Sequence, residues 1–309
     1  MTSVVIAVPS FRRPQGLTRL LSALAELKTD ARVSVLVADN DVEDREASAV
    51  CLDLRESGYR WPLDCILAKE RGIAQARNAL VEHVLVQSDA QFIAMLDDDE
   101  WPDPGWLDAF LSVQRVTGAD ALHGAVLREF ESAPSRWATA CHGLAHMHHK
   151  TGPVQMIEGT SNVLVSRACF EGLAPPCFDP SFALSGGEDR DFFERLRRQG
   201  RRFAWADEAI VHAWVPVSRA SLGWALMRAY RTGNSDMRVF LKHRDSGTEV
   251  AREVLKIGAA PFIYPPLMLL SLPFVRRLAN YLCKLSRAAG KAAALLGHRF
   301  DEYATVHGA

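Results

Sequence analysis

The chain has 309 residues, long for one compact unit, and sets 36 Lys and Arg against 37 Asp and Glu, so no global positive field exists to hold nucleic acid and no such partner is expected. Its six cysteines (Cys51, Cys65, Cys141, Cys169, Cys177, Cys283) include no C-x-x-C pair, which argues against a zinc knuckle or a secreted disulfide scaffold and for a reducing cytosol. One catalytic domain plus an appendage is the natural organisation.

Met1-Thr2-Ser3 leads without a basic leader into Val4–Val8, too short for a signal peptide and suited to a buried parallel strand that ends at Pro9. Leu17, Leu20, Leu21, Leu24 and Leu27 then share one helical face, and Val33–Ala38 repeats the strand pattern up to Asp39-Asn40. Leu63–Ala68 predicts a third strand, Ile73–Val86 a helix and Phe92–Leu96 a fourth strand. Alternation of this kind predicts an α/β fold with a mainly parallel central sheet flanked by helices, whose ligands lie beyond the carboxyl ends of the strands. Pro9-Ser10, Asp39-Asn40 and Asp97-Asp98-Asp99-Glu100 all fall at such ends. The acidic run contains no Lys or Arg to relieve its repulsion, and grouped hard oxygens suit Mg²⁺ or Mn²⁺ completed by a substrate's phosphates. A solvated acidic turn is the alternative for the run alone; three polar exits at one sheet edge favour a nucleotide site.

Asp103-Pro104 reads as an N-cap followed by Pro at the first position of a helix over 105–116, and Ala121–Leu127 as a strand. Residues 129–151 are irregular and hold Cys141, His142, His146, His148 and His149; their spacing lacks a zinc ligand set, and an exposed acceptor-side loop is expected. Ser161–Ser166 resumes strand character. Glu188, Asp189 and Asp191 crowd the first turn of a helix that Gly200 stops, although dipole capping needs one acid. Arg219, Trp224, Arg228 and Arg231 recur on a later helix, where they form either an anion-binding face or a solvated one. The apolar stretch Ile257–Val275 is interrupted by Pro261, Pro265, Pro266 and Pro273, which argues against a regular spanning helix. With Arg276, Arg277, Lys284, Arg287 and Lys291 behind it, this tail is read as interfacial and membrane-lying, the alternative being a helical appendage packed on the catalytic domain. The domains are set at 1–235 (catalytic) and 236–309 (helical appendage).

The ordered motifs resemble those of the family 2 inverting glycosyltransferases of GT-A fold, especially bacterial enzymes of exopolysaccharide and cell-surface glycan assembly. The resemblance covers roughly residues 4 to 235. It is carried by Val8-Pro9-Ser10-Phe11-Arg12-Arg13, by Val37-Ala38-Asp39-Asn40, by Arg71-Gly72 through Ala76-Arg77-Asn78, by Leu96–Glu100 as a D-x-D, and by Gly187–Phe192 with Arg195, Gly200 and Val211-His212. It implies a nucleotide-sugar donor, a UDP-sugar by the family's usual base, and a glycan or lipid-linked saccharide acceptor. It further implies that Pro9 and Ser10 floor the pocket, that Arg12 or Arg13 lies at its rim, that Asp39 meets base or ribose, and that Arg77 faces the diphosphate. Asp97 would support the ribose or the fold, Asp99 would bind Mg²⁺ or Mn²⁺ with His212 as a possible further ligand or else a core histidine, and Asp98 can be phased either way. Asp189 is implied as the base that takes the acceptor's proton during in-line displacement, with Glu188 as the alternative. A cytoplasmic enzyme, peripheral at the inner face of the cell membrane, would follow. A metal-dependent nucleotidyltransferase or phosphohydrolase, or a non-catalytic membrane scaffold, are the rival readings.

Overall fold

The apolar runs at the start of the chain fold as expected: Ser3–Ser10 forms β1, uncharged and buried throughout, and Pro14–Ala25 forms α1, which buries Leu17, Leu20, Leu21 and Leu24. Next come Arg32–Asp39 (β2), Glu46–Glu56 (α2), Leu63–Leu67 (β3), Ile73–Gln87 (α3), Phe92–Met95 (β4), Glu100–Pro102 (β5), Trp106–Thr117 (α4) and Ala121–Phe130 (β6). The chain continues through Arg136–Ala140 (α5), Gly152–Val154 (β7), Val163–Ser166 (β8), Arg167–Glu171 (α6), Glu188–Arg198 (α7) and Phe203–Val215 (β9). Three long helices close it: Leu222–His243 (α8), Gly247–Leu270 (α9) and Val275–Leu295 (α10). This computed structural model describes residues 1–300, except the side chains of residues 138 and 142, so the His142 side chain and the last nine residues of the expected appendage lie outside the described residues.

The sheet runs β3-β2-β1-β4-β8-β6-β9-β5, with β7 also on β9. Strands β3, β2, β1 and β4 are parallel, as the alternating pattern requires. The rest is mixed: β8 is antiparallel to β4 and β6, and β5 and β7 are antiparallel to β9. Only the parallel members need a crossover helix, so the periodicity of the first hundred residues could not announce the later strands. One face is filled by α1, α2 and α4 around Leu20, Trp106 and Phe110; the other by α3, α6 and α7 around Leu80, Phe170 and Phe192. All six cysteines are free thiols.

Two sequence expectations change. Asp103 does not cap α4, whose N-cap is Gly105; instead its backbone N–H donates to Ile210 O at 3.1 Å and prolongs the β5–β9 ladder. The tail is helical as expected, but its prolines do not interrupt it: α9 runs unbroken through Pro261, Pro265 and Pro266. It keeps its course along α10, with Glu253 3.1 Å from Lys291 and Tyr264 stacked on Tyr281.

The expected boundary at residue 235 falls inside α8, and α10 packs on that same helix through glycines. A Cβ at Gly290 would lie 1.9 Å from Tyr230 O, and one at Gly233 2.0 Å from Arg287 O, so only hydrogens permit the backbones to touch. Gly290→Leu is therefore expected to destabilise the chain by about 3 kcal/mol or to free the α9–α10 pair from α8. Urea denaturation followed by circular dichroism, with limited proteolysis of the tail, measures both.

Candidate active site

Asp97-Asp98-Asp99 leaves the end of β4 at the edge where β1 and β2 also finish, because Ser10 pairs with Asp39 in register and Val4–Ala7 with Phe92–Met95. The charges that relieve this run arrive from far along the chain. Buried Asp98 accepts from Ser10 Oγ at 3.0 Å, Phe11 N at 3.2 Å and Arg13 Nη1 at 3.0 Å. Arg13 Nη1 also lies 3.0 Å from Asp99 Oδ2, which Arg219 approaches at 3.3 Å from the turn before α8. Burial still raises Asp98 to about 6 against the pull of Arg13, with Asp99 repelling it further. For Arg13, burial works against its charge, but Asp98 and Asp99 outweigh it and raise its pKa. Gly16 makes this junction possible: a Cβ there would sit 2.5 Å from Asp98 O, so the first turn of α1 can rest on the acidic run. Glu100 is buried behind the run, its pKa driven well up by burial and by Asp97 and Asp99.

Arg77, buried on α3, joins the acidic run to the second acidic motif. Its Nη2 lies 3.2 Å from Asp97 Oδ1, while Nη1 is in close contact with Glu188 Oε1 at the start of α7. Asn78 secures the same junction, donating to Phe178 O at 2.7 Å and accepting from Phe178 N at 2.8 Å. Gly187, with φ of 106°, turns the chain so that Glu188 and Asp189 open α7. Burial raises Glu188 to about 7, helped by Asp189 and opposed by Arg77; burial likewise raises Asp189, again against Arg77. Glu188 Oε2 is buried without a hydrogen-bond partner among the described residues, an acceptor left for a ligand or water. Asp189 accepts from Arg190 N at 2.7 Å and remains partly exposed beside Gly159.

Other expected site residues have different partners. Asp39 is fully buried and spends both oxygens on the following loop, accepting from Asp41 N, Ser48 N and Ser48 Oγ at 3.1, 2.9 and 2.7 Å. These bonds hold the Asp39 carboxylate at the end of β2, beside Ser10. Pro9 and Ser10 close β1 beside it. Arg12, its backbone left-handed at φ 53°, turns away from the acidic run to Asp41 and Glu43 at 2.8 Å each and Asp44 at 3.6 Å. Those three acids are the metal-sized carboxylate group among the described residues, and Arg12 occupies it. His212 stacks on Trp101, with Nε2 3.1 Å from Asp103 and Nδ1 2.8 Å from Glu129. Across the ladder from Asp99 stands Trp214, whose N–H donates to Asp99 O at 2.9 Å, so His212 would have to release a carboxylate before it could ligate a metal. In the histidine loop, His146 accepts from Arg128 N and His148 lies 3.1 Å from Asp207.

The residues that sequence reasoning left out are Ser48 and Asp41, together with the part of Arg13 as the principal partner of the acidic run. The adjacent Arg12-Arg13 was a signal that at least one arginine serves the edge; which one depends on the left-handed kink at Arg12, which no propensity reveals.

Over 95% of its length the chain superposes on 87% of the mannosyltransferase PcManGT from Pyrobaculum calidifontis, determined in complex with GDP-Man and Mn²⁺, with a TM-score of 0.65 at 16% identity. It also matches TarS 1–349 of S. aureus, with a TM-score of 0.51 at 14% identity over 96% of this chain and 92% of that one. The fold is thus of the GT-A class, a mixed α/β sheet with flanking helices. The model of glycosyl transferase family 2 matches residues 5–170, and the chain belongs to that family. It is 33% identical over 301 residues to the succinoglycan biosynthesis protein ExoM of Rhizobium meliloti (strain 1021), covering 94% of this chain and 92% of that protein.

Arg13→Ala tests the charge balance. Without Arg13 the folded pKa of Asp98 rises further above its unfolded value, and such a group contributes stability that is lost as pH rises through the folded pKa. The variant should match the wild type at about pH 4 and fall behind by about 3 kcal/mol near pH 8, as read from urea denaturation across pH.

Proposed function

We propose that the chain transfers a sugar from a nucleoside diphosphate donor, a UDP-sugar in our reading, to a hydroxyl of a glycan or lipid-linked saccharide in cell-surface polysaccharide synthesis, inverting the anomeric centre. The observation that carries this reading is Arg77, which ties Asp97 of the acidic run to Glu188 beside Asp189 and so brings a diphosphate-side group and a proton-accepting group to one sheet edge. The similarity to a succinoglycan biosynthesis protein supports the polysaccharide context.

The nucleoside would lie against the wall formed by Pro9, Ser10 and the Asp39–Ser48 loop. Asp99 and Asp97, with side chains 24% and 35% exposed, are hard oxygen donors and fit Mg²⁺ or Mn²⁺, which completes its shell with water and phosphate. When bound, such an ion neutralises charge on the departing diphosphate. Arg13 and Arg219, already beside Asp99, are the cations nearest that charge, and Arg77 acts as an orienting group because both its ends are committed.

In the displacement the acceptor oxygen bonds to the anomeric carbon, the bond from that carbon to the diphosphate oxygen breaks, and the hydroxyl proton passes to Asp189. Asp189 suits this role better than Glu188, because Arg77 clamps Glu188 while Asp189 is partly open. A base must be ionised to act, and burial raises the pKa of Asp189, so the rate should climb with pH through a midpoint above the usual carboxylate range. Asp189→Asn should slow transfer about 10²- to 10⁴-fold, and Asp99→Ala should abolish the response to added Mn²⁺. Nucleoside diphosphate release and product analysis over a panel of nucleotide sugars, with Mn²⁺ and with chelator, test all three; full activity in Asp189→Asn would remove the assignment. In this reading the enzyme works at the cytoplasmic face of the membrane, attached through its C-terminal helices.

A further inference from the structure

We infer that the α9–α10 hairpin seats the protein on an anionic bilayer by sinking its apolar tip into one leaflet, and that α9 does not cross the membrane. This rests on the membrane attachment proposed above and is independent of the reaction.

By length and composition α9 qualifies as a spanning helix, with a mean hydropathy of 1.3 over its best window and only 6% of that window buried. Its surroundings argue otherwise. Glu249, Arg252, Glu253 and Lys256 occupy its first half, so the uninterrupted apolar part, Ile257–Leu270, rises about 21 Å at roughly 1.5 Å per residue. A hydrocarbon core is about 30 Å thick. The helix is also not free to leave: its contacts at Glu253–Lys291 and Tyr264–Tyr281 run antiparallel along α10. In turn α10 is fixed to α8 by the Gly233 and Gly290 crossings, by Ser286 Oγ donating to Leu226 O at 2.7 Å and by Arg287 Nε at 3.0 Å from Asp236. To span, α9 would have to break from α10 or pull Arg276, Arg277 and Lys284 into hydrocarbon.

The same hairpin is built for an interface. Phe262, Ile263, Leu269, Leu270, Leu272 and Phe274 are all more than half exposed, Phe262 at 78% and Leu270 at 77%. Phe262, Pro266, Leu269 and Leu270 follow helical spacing, so they form one stripe that continues into the turn. Immediately behind the tip, Arg276 and Arg277 are exposed, and Arg277 lies over the Phe274 ring at 4.9 Å. Arg276, Arg277 and Lys284 have no carboxylate partner among the described residues, and the sequence from Ile257 to Leu296 contains no acid. An apolar tip with an uncompensated cationic collar matches acyl chains beneath anionic headgroups, with burial of about 5–10 Å. Another protein or a second copy of this chain would give the collar no reason to be free of acids.

Flotation of the full chain with vesicles tests the proposal. Recovery should be strong with phosphatidylcholine containing about 30% phosphatidylglycerol, weak with phosphatidylcholine alone, and reduced by raised salt. Combined Phe262→Glu, Leu269→Glu and Leu270→Glu should lower recovery at least about tenfold while nucleotide-sugar binding, read by thermal shift, stays at the wild-type level. In Phe274→Trp, fluorescence should be quenched by lipids brominated near the headgroup end of the chain and spared by those brominated near the bilayer centre. Three results would overturn the inference: flotation unchanged in the triple variant, quenching strongest at the bilayer centre, or a lipid-free dimer that the triple variant dissolves. Normal flotation without any sugar transfer would instead count against the reaction and leave the docking intact.

Discussion

The molecule is organised around an electrostatic problem at the carboxyl edge of its sheet. Asp97, Asp98, Asp99, Glu100, Glu188 and Asp189 converge where low-dielectric walls strengthen their repulsion, and burial alone would hold several of them protonated. The fold answers with arginines from separate elements: Arg13 from the turn after β1, Arg77 from α3, and Arg219 from the approach to α8. Arg128, half-buried on β6, adds its field to Glu100 and Asp99 while desolvation lowers its own pKa. Removing one carboxylate from such a set leaves an orphaned cation, and removing one arginine leaves orphaned acids. The edge is consequently stable only as a whole, and it is also where arriving phosphates would find cations and an arriving cation would find carboxylates.

The parts of this edge differ in how plainly the sequence displays them. β1 to β4 and the helices between them are local patterns, written in Val4–Val8, the Leu17–Leu27 stripe and the runs that follow, and they form where the periodicity puts them. That the acids stand at strand ends follows from the same local reading. Their partners do not. Arg13 meets Asp98 across 85 positions and Arg77 meets Glu188 across 111, separations that only the topology of the mixed sheet brings to contact distance. The acidic run therefore looked unrelieved in the string. Asp39 shows a related gap: a polar residue at a strand end reads as a ligand contact, and its tie to Ser48, nine positions on, is not visible in the string. In the tail, proline counting suggested a broken helix, whereas packing against α10 sustains α9 through three prolines.

A second dependency runs through α8. Ser221 caps it directly after Arg219 has reached Asp99, Asp189 feels the charge of Arg231 two residues before Gly233, and Asp236 faces both Arg190 of α7 and Arg287 of α10. Near its end, His243 Nε2 and Lys242 Nζ each lie 2.7 Å from fully buried Asp191 on α7. Catalytic layer and appendage are thus two sides of one helix, which explains why no linker composition marks their border. Anything that displaces α10 acts on α8, and through it on the arginine beside Asp99.

That connection fixes the site relative to whatever surface the hairpin rests on. Ser286 meets Leu226 and Arg287 meets Asp236, so α10 runs parallel to α8, and the turn before α10 lies at the amino-terminal end of α8. This is the end from which Arg219 enters the acidic edge. On the proposed reading, a bilayer under the hairpin tip lies on the same side as the diphosphate-binding rim, not behind the sheet. A saccharide whose lipid stays in the membrane then has only the length of its own headgroup to cover, while a water-soluble nucleotide sugar can enter from the face where β1 and β2 end. On that reading two substrates of opposite solubility would meet at one carboxyl edge, because a single helix carries a cation at its start and, through paired glycines, the α9–α10 hairpin at its side.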